Sequence, residues 1–115
     1  MSPVSRTLQW LRAHGYEAQR VEHWNHFAKR RVDLFGFDVM AVNTDHALLI
    51  QVTDDTHRAE HEAKLKQSKP AQLLARHMHV ELWSWGLKLT GARRQDGLLN
   101  RKKEYKLRRD SLGVR

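Results

Sequence analysis

The sequence predicts an α/β fold in which a mixed β-sheet is flanked by helices. Two apolar segments, residues 37–42 and 47–53, are separated by four residues, which is typical of an antiparallel hairpin. Residues 56–67 are rich in helix formers and lead to a further alternating segment, residues 79–85. A helix between two strands predicts a crossover that returns the chain to the same sheet.

The remaining elements complete a single domain of 115 residues, with a core over about 4–85 and a carboxyl-terminal extension over about 86–115. Residues 4–14 place apolar side chains on one helical stripe, and Gly15 is a stop signal. Residues 16–24 alternate as an edge-like strand, and residues 25–36 are expected to form a basic connection.

The crossover is expected to contain two helices. Asp55 or Thr56 is the predicted N-cap of the first, and Pro70 opens a second, shorter helix after a break at Ser68 and Lys69. Residues 101–109 predict a last strand that pairs back through a glycine-containing loop.

The amino-acid composition limits the cellular compartment and the kinds of metal site that we expect. The chain has no cysteine, which excludes disulfides and thiolate metal sites. It contains no apolar run approaching the roughly 20 residues that span a bilayer, and its first residues lack the apolar core of a secretion signal. We therefore expect a soluble cytoplasmic protein without a membrane partner.

The charge is uneven along the chain. The net charge is +8, and residues 86–115 contain ten basic and three acidic side chains. A basic segment beside a near-neutral body predicts a polyanion partner, nucleic acid first, although a solvated basic tail is the open alternative. The predicted phosphate contacts are Lys88, Arg93, Arg94, Lys102, Lys103, Arg108 and Arg109, together with Lys29, Arg30 and Arg31.

Gln51 and Thr53 interrupt the end of an otherwise apolar strand. Side chains two residues apart in a strand share a face, and burying an amide costs free energy unless it is bonded. Asp38 lies near the start of the preceding strand, so the predicted hairpin brings it toward this pair. A polar pair at the end of a buried strand requires bonding partners there.

The segment "RRVDLFGFDVMAVNTDHALLIQVTDDTHRAEHEAKL" resembles the core of the PD-(D/E)XK nuclease superfamily, nearest to Holliday-junction resolvases and small phage or mobile-element nucleases. The resemblance implies a restriction-endonuclease-like αβββαβ core with a basic carboxyl-terminal hairpin or tail. It places Asp38 at the family's aspartate position, Gln51 at the glutamate position and Thr53 at the lysine position.

The resemblance implies a DNA endonuclease that uses Mg²⁺ or Mn²⁺, held by Asp38 and Gln51, to hydrolyse phosphodiester bonds in duplex or branched DNA. Many members act as dimers, so a homodimer is one implied assembly. Gln51 removes a negative charge from the family pattern and Thr53 removes a cation. Lys64 and Asp33 are the residues we expect to compensate, with Asp54 and Asp55 nearby.

Other interpretations stay open. The same fold without hydrolysis would be a nucleic-acid-binding module or part of a larger assembly, and a small RNA-binding protein is a third candidate. His57 and His61 have the spacing of a zinc pair in metalloproteases, but such a site needs a further carboxylate. Trp83 and Trp85 share a strand face and suit either core packing or base stacking.

Overall fold

The computed structural model describes residues 1–91, 93, 95–98 and 101–112. Its elements, in chain order, are α1 (Pro3–Ala13), β1 (Glu17–Arg20), β2 (His23–Asn25), β3 (Arg30–Val32), β4 (Val39–Val42), β5 (Ala47–Asp54), α2 (Arg58–Gln67), α3 (Lys69–Leu74), β6 (His79–Leu89) and β7 (Lys103–Ser111). The mixed α/β architecture expected from the sequence is confirmed.

Five strands form the main sheet in the order β1-β4-β5-β6-β7. All neighbours are antiparallel except β5 and β6, which are parallel and joined through α2 and α3. The predicted hairpin is present, with Val42 opposite Ala47 across a four-residue link. The basic carboxyl-terminal segment is a full edge strand of the sheet, paired with β6 over nine residues, as the sequence predicted.

The sheet has a hydrophobic cluster on each face. One cluster joins α1 to β4, β5 and β6, with Leu11, Ile50 and Trp83 fully buried. The other joins α2 and α3 to the opposite face, where Leu65 and Ala71 pack on Leu49, Val80 and Leu82. Because both faces of β5 are covered, its central side chains are buried on both sides.

Three local predictions need correction. Residues 25–36 are not an unpaired connection, because β2 and β3 pair with each other as a separate antiparallel ribbon. The predicted strand 16–24 is divided between β1 and β2. The N-cap of α2 is His57, whose side chain does not cap the helix, while the Asp54 carboxylate accepts the His57 N–H at 2.9 Å.

The second crossover helix begins as expected. Ser68 is its N-cap, and the Ser68 hydroxyl accepts the Ala71 N–H at 3.3 Å. Pro70 occupies the first turn, where a missing N–H removes no helical bond. No helix in the described part of the chain is long and apolar enough to cross a bilayer.

Candidate functional site

Asp38 continues the pairing of β4 and β5 with its side chain. Its N–H donates to the Ile50 carbonyl at 2.9 Å, and its carboxylate Oδ2 accepts the Val52 N–H at 2.9 Å. On the other side, Val21 N–H donates to the Asp38 carbonyl at 2.8 Å. One step beyond the Val39–Ile50 pair, the strand register brings Asp38 next to Gln51.

The environment of Asp38 favours its neutral form. Burial raises the pKa of the Asp38 carboxyl from 3.8 to about 7, although the bond from Val52 acts in the opposite direction. The charges of Glu22 and Asp33 raise it further, as does a side-chain hydrogen bond with Glu22. A carboxyl that changes charge near neutral pH, with two acidic neighbours, is typical of a functional centre.

Glu22 was not anticipated from the sequence. It immediately precedes β2, and its carboxylate also lies 3.5 Å from Arg20 and 3.8 Å from Arg31. The contact with Asp38 follows from the pairing of β1 with β4, which the bond from Val21 N–H to the Asp38 carbonyl continues past Arg20. The signal in the sequence is weak, since it consists only of acidic residues on both sides of a basic segment.

Gln51 lies deeper in the same region. Gln51 is only 8% exposed, and its side-chain amide oxygen Oε1 has no hydrogen-bond partner among the described residues. It lines a cavity of about 300 Å³ together with Asp33 and Lys64. The structure therefore brings three of the four predicted catalytic residues to one cavity, with Asp38 beside it rather than in its lining.

His61 is the second buried polar group in this cavity. Its Nδ1 is inaccessible to solvent and has no partner within the described ranges. In the sequence, His61 has the spacing of a zinc ligand paired with His57. The His57 Nδ1 instead lies 2.8 Å from the Asp54 carboxylate, so His57 contacts the end of β5 rather than His61.

Lys64 and Asp33 have their own contacts at the cavity. The Lys64 ammonium is largely exposed and lies 3.5 Å from the Glu60 carboxylate, one helical turn earlier. The Asp33 carboxylate accepts the Gly36 N–H at 3.0 Å and so closes the turn that precedes Asp38. Both side chains keep polar atoms available to a molecule entering the cavity, because neither is buried.

The other candidates for compensation are engaged elsewhere. Asp54 contacts His57, which lowers the pKa of the Asp54 carboxyl. The Asp55 carboxylate lies 2.8 Å from the Lys88 ammonium and directly against Gly86, in space that any Cβ there would occupy. Thr53 is buried and does not line the cavity.

The predicted phosphate contacts fall into different groups. Three are paired with acidic side chains: Lys88 with Asp55, Arg31 with Glu22, and Arg108 with Asp110 at 3.1 Å. The residues Lys29, Arg30, Arg93, Lys102 and Lys103 are exposed. Arg94 lies outside the described residues.

Arg109 has a structural role in the fold. Its guanidinium bonds both oxygens of the buried Glu81 carboxylate, at 2.9 and 3.1 Å, and lies over the rings of Trp83 and Trp10. Trp83 Nε1 donates to the same carboxylate at 3.0 Å, and Trp85 Nε1 donates to Thr7 at 2.9 Å. Both tryptophans are therefore core residues, and stacking on bases is not available to them.

The donor set of the site consists of carboxylate and amide oxygens. In the described part of the chain, no group of three His, Asp or Glu side chains is arranged to hold a metal ion. Glu22 and Asp38 share a side-chain hydrogen bond, and Gln51 Oε1 is unpartnered among the described residues, so the oxygens near Asp38 are of the type that Mg²⁺ binds.

No family model, curated protein or solved structure matches the chain.

Proposed function

We propose that the chain binds DNA and hydrolyses its phosphodiester bonds with Mg²⁺ or Mn²⁺, as a variant of the PD-(D/E)XK nuclease fold. The observation that carries the proposal is the pair of buried, unpartnered atoms, Gln51 Oε1 and His61 Nδ1, in one cavity beside Asp38. Buried polar atoms in folded proteins are nearly always bonded. Two of the three such atoms among the described residues lie in this cavity, the third being Ser84 Oγ in β6, and this grouping supports a site that binds a ligand.

The topology supports the same proposal. After α1, three antiparallel strands, a helical crossover and a parallel strand follow in the order α1-β1-β4-β5-α2-β6, with β2 and β3 as an insertion. This is the order that the resemblance to restriction-endonuclease-like proteins implies. Asp38 and Gln51 then occupy neighbouring positions on adjacent strands, where that family has its acidic motif.

Each side chain has a distinct part in the proposed reaction. Asp38 and Gln51 would hold the cation, with Glu22 sharing the proton that Asp38 carries when the cation is absent. Bound Mg²⁺ or Mn²⁺ supplies polarisation of the phosphate and activation of water. Lys64 would offset the negative charge that develops on phosphate. His61 Nδ1 would take the proton that the attacking water loses, while a proton from solvent reaches the leaving oxygen.

The experiment is cleavage of supercoiled, linear, branched and single-stranded DNA in Mg²⁺ and in Mn²⁺. We expect Asp38→Ala and His61→Ala each to lower the cleavage rate by at least about 100-fold, the scale of general acid–base and metal-ligand contributions. Asp45→Asn is the matched control, because Asp45 is an exposed carboxylate in the turn at the other end of the β4–β5 hairpin. An active wild type whose Asp38→Ala variant keeps full activity would refute the assignment.

A second candidate function is a nuclease-like module that binds nucleic acid without cutting it. The neutral Gln51 and the absence of three metal-holding acidic or histidine side chains in the described residues favour it. Salt-dependent DNA binding with no cleavage in any divalent metal would support this module. A preference for single-stranded RNA over all DNA forms would instead identify an RNA-binding protein.

A further inference from the structure

The β2–β3 ribbon is a feature that the proposed cleavage does not use. It pairs only with itself, from His23 opposite Val32 to Asn25 opposite Arg30, and it stands apart from the five-stranded sheet. It begins immediately after Glu22 and ends immediately before Asp33, the two acidic neighbours of Asp38. A projecting ribbon is therefore anchored at the candidate catalytic centre.

The tip of the ribbon carries a fully exposed aromatic ring. Phe27 is 100% exposed, and Trp24 on the adjoining strand is 50% exposed. An isolated two-stranded ribbon is only marginally stable, and an exposed phenylalanine adds nothing to its stability. A ring in this position is expected to bury its surface in a partner.

The tip is nevertheless held in one conformation. The Asn25 side-chain oxygen accepts the N–H groups of both Phe27 and Ala28 at 2.9 Å, which closes the turn around the ring. Lys29 follows in the left-handed region, at φ 52°. Ordering before binding lowers the entropy that a partner must overcome.

The charge of the ribbon selects the kind of partner. Residues 23–32 contain three basic side chains and no acidic one. Within the described ranges, the Lys29 and Arg30 side chains form no ion pair, whereas Arg31 lies 3.8 Å from Glu22. Two available cations beside an exposed ring fit a chain of phosphates with accessible base faces.

We propose that the β2–β3 ribbon is a nucleic-acid-reading wedge, in which Phe27 stacks on an unpaired or unstacked base and Lys29 and Arg30 contact the flanking phosphates. Unpaired bases present faces on which an exposed aromatic ring can stack, and cations beside the ring can neutralise the flanking phosphates. The inference rests on the nucleic-acid partner of the proposed function and is independent of cleavage. It assigns to the ribbon a preference for bulged or mismatched DNA.

The test measures binding in EDTA, where cleavage plays no part, by fluorescence anisotropy on a paired duplex and on the same duplex with a two-nucleotide bulge. We expect Phe27→Ala to weaken binding to the bulged duplex about tenfold, the scale of one lost base stack, and to leave the paired duplex unchanged. Phe27→Trp is expected to retain the preference. Leu73→Ala is the matched control, since Leu73 is an exposed apolar residue on α3.

The cations are tested in the same assay. Lys29→Ala and Arg30→Ala are each expected to weaken binding to the two duplexes equally. Each is also expected to lower the slope of log K against log salt concentration by about one. Equal binding of wild type and Phe27→Ala to the bulged duplex would overturn the proposal. So would a Phe27→Ala defect confined to binding of anionic lipid vesicles, which would identify the ribbon as a membrane contact.

Failure of the wedge and failure of the nuclease give different results. A protein that discriminates the bulge through Phe27 but cuts nothing supports the wedge and contradicts the hydrolase. A protein that cuts DNA in Mg²⁺ and binds both duplexes through residues other than Phe27 supports the hydrolase and contradicts the wedge.

Discussion

Asp38→Asn is expected to make the stability of the protein much less dependent on pH. In the folded chain the pKa of Asp38 is raised from 3.8 to about 7, chiefly by burial. The unfolded chain gives up this proton near its ordinary pKa, so the folded chain binds more protons between these two values. The free energy of unfolding therefore falls as pH rises through this range, and it levels off above it.

The size of the effect follows from the two pKa values. Between pH 5 and pH 8 the ionisation of Asp38 is expected to remove about 3 kcal/mol of stability from the wild type. Asparagine has the same shape and keeps a carbonyl oxygen that can accept the Val52 N–H. The Asp38→Asn variant should lose none of this stability, and at pH 8 it should be more stable than the wild type by about 2 to 3 kcal/mol, after allowing for a weaker bond to Val52.

The measurement is urea unfolding in EDTA at pH 5, 6.5 and 8, with Asp45→Asn as the control for an exposed carboxylate. Added Mg²⁺ favours the ionised carboxylate and is expected to restore part of the lost stability at pH 8, in the wild type but not in Asp38→Asn. Parallel stability–pH curves for wild type and Asp38→Asn would refute the reasoning. If Mg²⁺ raised the free energy of unfolding equally in both proteins, the cation would not be bound by Asp38.

Two further predictions concern the surroundings of the site. Phe35 and Gly36 both have positive φ, 54° and 90°, in the tight turn closed by Leu34 and Phe37. Phenylalanine is strained there, so Phe35→Asn is expected to raise the free energy of unfolding by about 1 kcal/mol, measured by urea unfolding. A loss of stability would mean that contacts of the Phe35 ring outweigh the strain in its backbone. Glu81→Ala removes the acceptor of the Arg109 fork and of Trp83 Nε1 and is expected to cost about 3 kcal/mol. A change below about 0.5 kcal/mol, as expected of a surface substitution, would show that Arg109 is not structural.

The fold could be predicted where the chain alternates or changes period. The four-residue link between β4 and β5 determines their register up to the Val39–Ile50 pair, and the bonds of Asp38 to Ile50 and Val52 then place it beside Gln51. The β2–β3 ribbon could not be predicted, because three-residue strands with exposed side chains have no apolar pattern.

The residues that form the site were harder to predict than its location in the sheet. Glu22 meets Asp38 because the pairing of β1 with β4 continues past the end of β1, as far as the Asp38 carbonyl. The burial of His61 Nδ1 depends on how α2 packs on the sheet. Arg109 was predicted as a phosphate contact, but its guanidinium is bonded to the buried carboxylate of Glu81. The spacing of basic residues in the sequence does not show which of them pairs with a buried carboxylate.

The bond between Thr7 and Trp85 joins positions 78 residues apart, and the leucines of α1 share their cluster with β6. During synthesis the first helix therefore emerges long before the strand that completes its packing surface. Residues of β4 and β5 can cover part of its apolar stripe, but the cluster is complete only when Trp83 and Trp85 of β6 have been made. Contacts this distant in sequence slow folding, because a long loop must close before they form. The amino-terminal helix is thus among the first segments synthesised and among the last whose packing is complete.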